Sequence, residues 1–458
     1  MATDTREMTA VETLGAYVAE LRYEDLPDHV VHAARRVLLD TIGAGLGGMT
    51  GEEGKRVLAG IQAIDRAPDT TIWGTDARLS VTGAALVNGT LAHALEMDDF
   101  GGCSHSGTVV IPAALSLVER DRKVDGRTLL TAIVAGYEIA RRALQGAGGY
   151  RAHTQLGWHS TGTCGGFGAA AAGAYLMELD SRQTAWALGL AGTYTGGTWA
   201  FLEDGAMSKR LHPGKAAANG ISAAVLAAEG FTGPTRVFEA EWGGFLSTYA
   251  SDEADVSRLT AGLGEDHQIL YTGFKPWASC RRAHGGIDAL LGMRSEFGID
   301  PGDVERIVVR TSPFYARMVG NANRGTMLDA QMSLPYGLSI AMLTGRADIQ
   351  QYSPEVRSSA DVDDMLARVE VVTDNDKPME QEPDIAIHLK DGTVRERRVD
   401  RPLGAPDNPL TDEALTDKFR SLAALSLPAM QIEELGELIW KIDQVEDVRQ
   451  LSALLATG

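Results

Sequence analysis

The segment Ser160–Met177 carries no Asp, Glu, Lys or Arg and consists mostly of Gly, Ala, Ser and Thr. Its length approaches the ~20 residues that span a bilayer, but a lipid-facing span is built from larger apolar side chains. Small residues instead suit a helix packed closely inside a protein, and that is the expectation here. Within it, Gly166-Phe-Gly-Ala-Ala-Ala171 fits the spacing G-x-G-x-x-A. The dinucleotide reading of that spacing needs a strand directly before it, and His153–Thr163 is not strand-like. The run therefore predicts a central packing helix, not a nucleotide site.

A chain of 458 residues is too long for one ordinary core, so a division into domains is expected. Hydrophobic residues make up 44% and charged residues 23%, which excludes a disordered chain. Lys+Arg 42 minus Asp+Glu 62 gives −20. Such an acidic chain is a poor generic binder of nucleic acid or anionic membrane, so an anionic ligand needs positive charge gathered in one pocket. Cys103, Cys164 and Cys280 are odd in number and widely spaced, which disfavours a disulfide framework and points to a reducing compartment. Met1–Met8 carries Asp4, Arg6 and Glu7 and lacks an apolar signal core, so a cytoplasmic protein is expected.

The first 270 residues read as helices joined by glycine-rich turns. Thr9 and Glu12 have capping-box spacing before Leu14, Val18 and Leu21. Pro27 opens a second helix, which Gly43–Gly48 is expected to end. Ser80 caps a third, and Pro112 suits the first position of a helix over 113–119. Thr128–Leu144, Ser181–Thr193 and Gly214–Ala228 continue the pattern. Past residue 300 the character changes. Val304–Thr311 and Ala367–Thr373 are rich in β-branched residues, and Ile385–Leu389 and Val394–Val399 flank the hairpin signal Asp391-Gly392. Met332–Leu343 reads as helical between them, and helical patterns return from Thr411. The expected fold is mainly α: a large all-helical domain with an inserted smaller α+β lid domain. The expected boundaries are 1–272, 273–410 for the lid, and 411–458 returning to the helical domain.

P-loop, zincin and α/β-hydrolase signatures are absent from the sequence. Asp98-Asp99 beside His93 and His105 has the residue types of a metal site, but a polar helix end is the favoured reading, and no metal is expected. Five short segments concentrate polar groups amid Gly and Ala: Glu96–Gly107 with His105; Gly157–Thr163 with His159; Lys209–Lys215 with His212; Phe274–His284 with Lys275, Cys280, Arg281 and Arg282; and Tyr315. Taken singly, each has a bland explanation as solvated loop or helix surface. Together they fit a carboxylate substrate. Lysine and arginine give charge-assisted hydrogen bonds to carboxylates. Histidine exchanges protons near neutral pH, and a carboxylate such as Glu96 or Asp98 orients it.

These segments resemble the MmgE/PrpD family of 2-methylcitrate dehydratases, cis-aconitate decarboxylases and iminodisuccinate epimerases. The stretches that carry the resemblance are 88–107, 157–172, 207–220, 230–245, 274–288 and 331–343. The resemblance implies a homodimer with a site between its domains and no cofactor. It places active-site histidines on His105 and His159, lysines on Lys209 and Lys275, an acidic residue on Glu96 and a lid tyrosine on Tyr315. Two positions depart from the pattern: Phe100 stands where the family usually has threonine, and Cys280 where the decarboxylases have histidine. Both weigh against cis-aconitate decarboxylation. The expectation is therefore a lyase of a di- or tricarboxylic acid, most like 2-methylcitrate dehydratase, acting by α-proton abstraction. Lys209 and Lys275 would hold carboxylates and His105 and His159 would serve as base and acid. Glu96, Asp98, Phe100, His212, Cys280, Arg281 and His284 would line the substrate. An epimerase of an iminodisuccinate-like acid is the alternative, with a decarboxylase third.

Overall fold

The computed structural model describes residues 7–121 and 123–457. The reading of the N-terminus as lacking a signal core falls largely on 1–6, outside the described residues. The fold is mainly α, with a smaller α+β region after residue 273.

The Ser160–Leu176 helix is the hub of the helical body, buried along nearly its whole length. It packs on the Gly126–Gly146 and Ser208–Ala228 helices, with Gly107–Asp121 and Val81–His93 beside them. Its small residues let backbones touch. A β-carbon on Gly168 would lie 2.5 Å from the Gly136 carbonyl, and one on Gly220 would lie 2.7 Å from the Gly166 carbonyl. Larger side chains there would force the helices apart. Among the described residues no helix is long and apolar enough to cross a membrane.

The Thr9–Glu12 capping box and the Ser80 cap both form. Three helix boundaries differ from expectation. Asp28–Gly48 runs through its glycines instead of stopping at Gly43, because they face neighbours that tolerate no side chain. A β-carbon on Gly48 would meet the Leu91 carbonyl at 2.0 Å. Pro112 lies inside Gly107–Asp121, and Pro213 lies inside Ser208–Ala228. The first of these helices starts early because the Asp99 carboxylate, from the preceding loop, accepts the Gly107 N–H at 3.0 Å. That is a capping signal no local motif announces.

The α+β region holds a four-stranded sheet. Val304–Thr311 is parallel to Val369–Thr373 and antiparallel to Asp384–Leu389, which pairs with Val394–Arg397. Ile307, Val309, Ile385 and Ile387 turn inward onto Ile287, Leu290 and Leu338 from the Arg281–Phe297 and Leu334–Thr344 helices. That core runs on into the helical body at Leu95 and Met97. From residue 412 the chain returns to the body. Leu415 and Phe419 pack with Leu38 and Ile42, and Lys418 pairs with buried Asp40 at 2.6 Å.

Candidate active site

Where the α+β region meets the helical body, Asp99–Phe100 pairs antiparallel with Gly273–Phe274, Asp99 opposite Phe274. Along that register the next residues, Asp98 and Lys275, face each other, and the Lys275 amine lies 3.0 Å from Asp98. The same amine lies 2.8 Å from Glu96. Glu96 also takes Lys209 and Arg210, which lie in the first turn of the Ser208–Ala228 helix. Its backbone adopts φ +52°. A left-handed conformation costs a non-glycine residue ~1–3 kcal/mol, a cost offset here by charge pairing in a dry interior. All these side chains are 0–2% exposed. Burial would push the Glu96 carboxyl up, but Lys209, Lys275 and Arg210 overcome it and hold it well below the usual range. Asp98 is likewise held low against burial by Lys275, His93 and His105. Burial opposes the charge on Lys275, yet Asp98 and Glu96 raise its amine above its ordinary value.

Asp98 also organises imidazoles. Its carboxylate lies 2.9 Å from His93 Nδ1 and 2.7 Å from His105 Nδ1. His105 Nδ1 is 2.8 Å from the Asp99 carbonyl as well. Both partners of His105 Nδ1 are acceptors, so that nitrogen carries the hydrogen, and in the neutral ring the lone pair lies on Nε2. His159 enters from the residue before the Ser160–Leu176 helix, its Nδ1 2.9 Å from His212 Nδ1. Burial, then His212 and Lys209, holds His159 well below the ordinary histidine value, so it is neutral. Burial likewise takes His93 down to about 3. The ring centres of His105 and His159 are 6.0 Å apart.

Glu96, Asp98, His105, His159, Lys209, His212 and Lys275 thus form one group. Glu96 serves the cations rather than the histidines, and both lysine amines are engaged by carboxylates of the chain itself. Tyr315 belongs to a second group. Its hydroxyl accepts from Arg282 at 3.2 Å. The Arg282 guanidinium lies over the rings of Tyr150, Tyr315 and Phe314 at 5.5, 5.1 and 5.6 Å, and the carboxylate it pairs with, Glu380, is 3.9 Å away. Burial takes the Tyr315 hydroxyl up to about 12. Arg281 pairs with Glu382 at 2.9 Å and lies over half-buried Phe100. Cys280 is buried at the start of the Arg281–Phe297 helix, and His284, one turn on, faces the Ser279 carbonyl at 3.2 Å. A groove of about 870 Å3 lies beside both groups and touches each through an aromatic neighbour rather than through the charged side chains themselves. One wall is Trp199, set edge-on to His159, and the other is Phe314, beside Arg282.

The family model for the MmgE/PrpD N-terminal domain matches residues 12–257, and that for the C-terminal domain matches 277–444. The chain belongs to the MmgE/PrpD family. Similar proteins include the cis-aconitate decarboxylase-like protein oryM of Aspergillus oryzae, 28% identical over 99% of this chain and 98% of that one. The cis-aconitate decarboxylase of Homo sapiens is 28% identical over 97% and 94% of the two chains, and that of Aspergillus terreus 23% over 96% and 94%. These family relations support an enzyme that acts on carboxylates.

Sequence reasoning left out of the site His93, Arg210, Arg282 and Gln331, which accepts from Arg210 at 2.7 Å. His93, Arg210 and Arg282 lay inside or beside the polar segments, and Gln331 begins the 331–343 stretch. The missing signal was the burial of His93, Arg210 and Gln331 and, for half-buried Arg282, the aromatic faces around it.

Proposed function

We propose that the protein is a lyase that transfers a proton at the carbon next to a carboxylate of a di- or tricarboxylic acid, without a bound cofactor. The observation that carries this reading is the fixed tautomer of His105. With its Nδ1–H committed to Asp98 and the Asp99 carbonyl, its Nε2 is a base. His159, across a 6.0 Å ring separation, is the acid. Its Nδ1 meets the Nδ1 of His212, so only one of the two can donate. When His212 donates, His159 carries its hydrogen on Nε2 and can deliver it. A positioned acid or base contributes ~10²–10⁴-fold.

The ion-pair group gives Lys209, Arg210 and Lys275 against Glu96 and Asp98, a charge of 3 − 2 = +1. That excess favours an anion without binding it through a free lysine. Arg282, loosely paired, is the cation that meets a substrate carboxylate, with Tyr315 beside it as a hydrogen-bond donor.

Dehydration uses both imidazoles: His105 takes the α-proton and His159 protonates the leaving hydroxyl. Decarboxylation is the second reading, favoured by the activity named for relatives that match nearly the whole chain. There the C–C bond to CO2 breaks and an imidazole protonates the carbon. Epimerisation would return the proton to the opposite face. The test is NMR of citrate-, aconitate- and aspartate-like acids incubated with the protein in D2O. New alkene signals from a hydroxy acid mean dehydration, CO2 release means decarboxylation, and deuterium at a scrambled α-carbon means epimerisation. Unchanged spectra across the panel would sink the reading. The homodimer is part of the same proposal, and sedimentation analysis tests it.

A further inference from the structure

The proton-transfer reading uses His105 and His159 but leaves His93 without a task. His93 is fully buried, and Asp98 fixes its Nδ1–H, so its Nε2 presents a lone pair. Among the described residues that Nε2 has no hydrogen-bond partner, and neither does fully buried His159 Nε2, which carries a lone pair when His159 gives its Nδ1–H to His212, the tautomer opposite to the one that delivers a proton. An unpaired buried acceptor costs ~1–3 kcal/mol. Two of them beside the lone pair on His105 Nε2 call for a ligand that takes electron pairs and brings no hydrogen.

The geometry fits a metal ion. One ring nitrogen from each of His93, His105 and His159 lies within 4.8 Å of the others. The ring centres are 4.5 Å apart for His93–His105, 6.0 Å for His105–His159 and 6.1 Å for His93–His159. Three imidazoles on a tetrahedral centre with metal–nitrogen bonds of ~2.0–2.1 Å put ring centres about 5 Å apart. The observed values bracket that figure. Asp98 behind two of the rings is the carboxylate backing that orients metal-binding histidines and raises their basicity.

We infer that His93, His105 and His159 form a binding site for a divalent transition-metal ion of the zinc type, held through Nε2 of each ring, with the fourth position open to water or a carboxylate. The neighbouring cations leave a local excess of +1, so affinity is lower than where the surroundings are anionic. An ion here occupies the nitrogens of His105 and His159, so metal and proton transfer exclude each other. The inference does not rest on the proposed reaction, because binding is measured without turnover.

The probe is Co2+, titrated into the chelator-treated full-length protein and followed by visible absorption. One ion per chain with the intense bands of a four-coordinate site is expected, reversed by chelator. His93→Gln should weaken Co2+ binding at least tenfold with circular dichroism unchanged. X-ray absorption of the Zn2+-loaded wild type should show imidazole scattering from three rings at ~2.0 Å. Absence of a stoichiometric cobalt band, equal binding by folded His93→Gln, or a sulfur or all-oxygen zinc shell would overturn the inference. If His93→Gln fails to fold, the wild-type X-ray absorption decides alone.

Discussion

At Glu96 and Asp98 buried positive charge is met by carboxylates within hydrogen-bond range, whereas the charge of half-buried Arg282 is met mainly by the faces of Tyr150, Tyr315 and Phe314. The first arrangement is electrostatically closed. Its lysines and arginine pair with carboxylates of the chain itself, beside imidazoles that Asp98 orients. The second is open. Aromatic faces stabilise a cation without consuming its N–H donors, so Arg282 keeps hydrogen-bonding capacity for an incoming acid. The comparison separates cations paired within the chain from one whose donors stay available, as the proposed function requires of a group that meets the substrate.

Glu96→Gln tests the closed region and should have the largest effect. It leaves Lys275 with Asp98 and takes away the carboxylate that pairs with Lys209 and Arg210. Unpairing buried charge costs ~3–5 kcal/mol. Urea denaturation measures it, and a loss below ~1 kcal/mol would mean the pairing does not hold the region together. Next comes His159→Ala, for which kcat should fall ~10²–10⁴-fold with thermal melting little changed. Near-normal kcat would remove His159 from proton transfer.

Arg282→Gln probes the open region. KM for a tricarboxylic acid should rise about tenfold, or ~1.4 kcal/mol, with a smaller change in kcat. Arg282→Lys should restore only part of it, because the guanidinium plane matches both ring faces and carboxylates. An unchanged KM would make the pocket purely structural.

The smallest effect concerns pH. Burial lowers His153 to about 4 and, with Arg281 and Lys275, holds His284 well below its ordinary value. Unfolding lets both take up protons below ~6.5, so their contribution to stability is fully present above that pH and declines as pH falls. Each group contributes at most ~1.4 kcal/mol per pH unit. Melting temperatures from pH 7.5 to 4.5 should fall on the acid side, less steeply in His284→Gln. A flat profile would contradict the burial assigned to both rings.

Much of the fold was legible because its signals are local. The Val304–Thr311 strand, the Asp391-Gly392 hairpin and the Thr9–Glu12 box announce themselves within a few residues. The starts of the Gly107–Asp121 and Ser208–Ala228 helices were not legible. Asp99 caps one from outside, and the basic first turn of the other is stabilised by Glu96, more than a hundred residues away. The site was legible as a list of residue types but not as a division of labour. Lys209 and Lys275 were legible as cations, but not the carboxylates of the chain that pair with them, because sequence shows charge and conceals its partner. Arg282 and His93 were passed over because their significance lies in what surrounds them.

The short pairing of Asp99–Phe100 with Gly273–Phe274 ties the polypeptide leaving the helical body to the strand that delivers Lys275. Any hinge movement that frays those backbone bonds would draw the amine off Asp98. The aspartate would then be left to its two histidines alone. Opening and electrostatics are mechanically linked there, so a molecule prying the two strands apart would change the charge that His93 and His105 face as it entered.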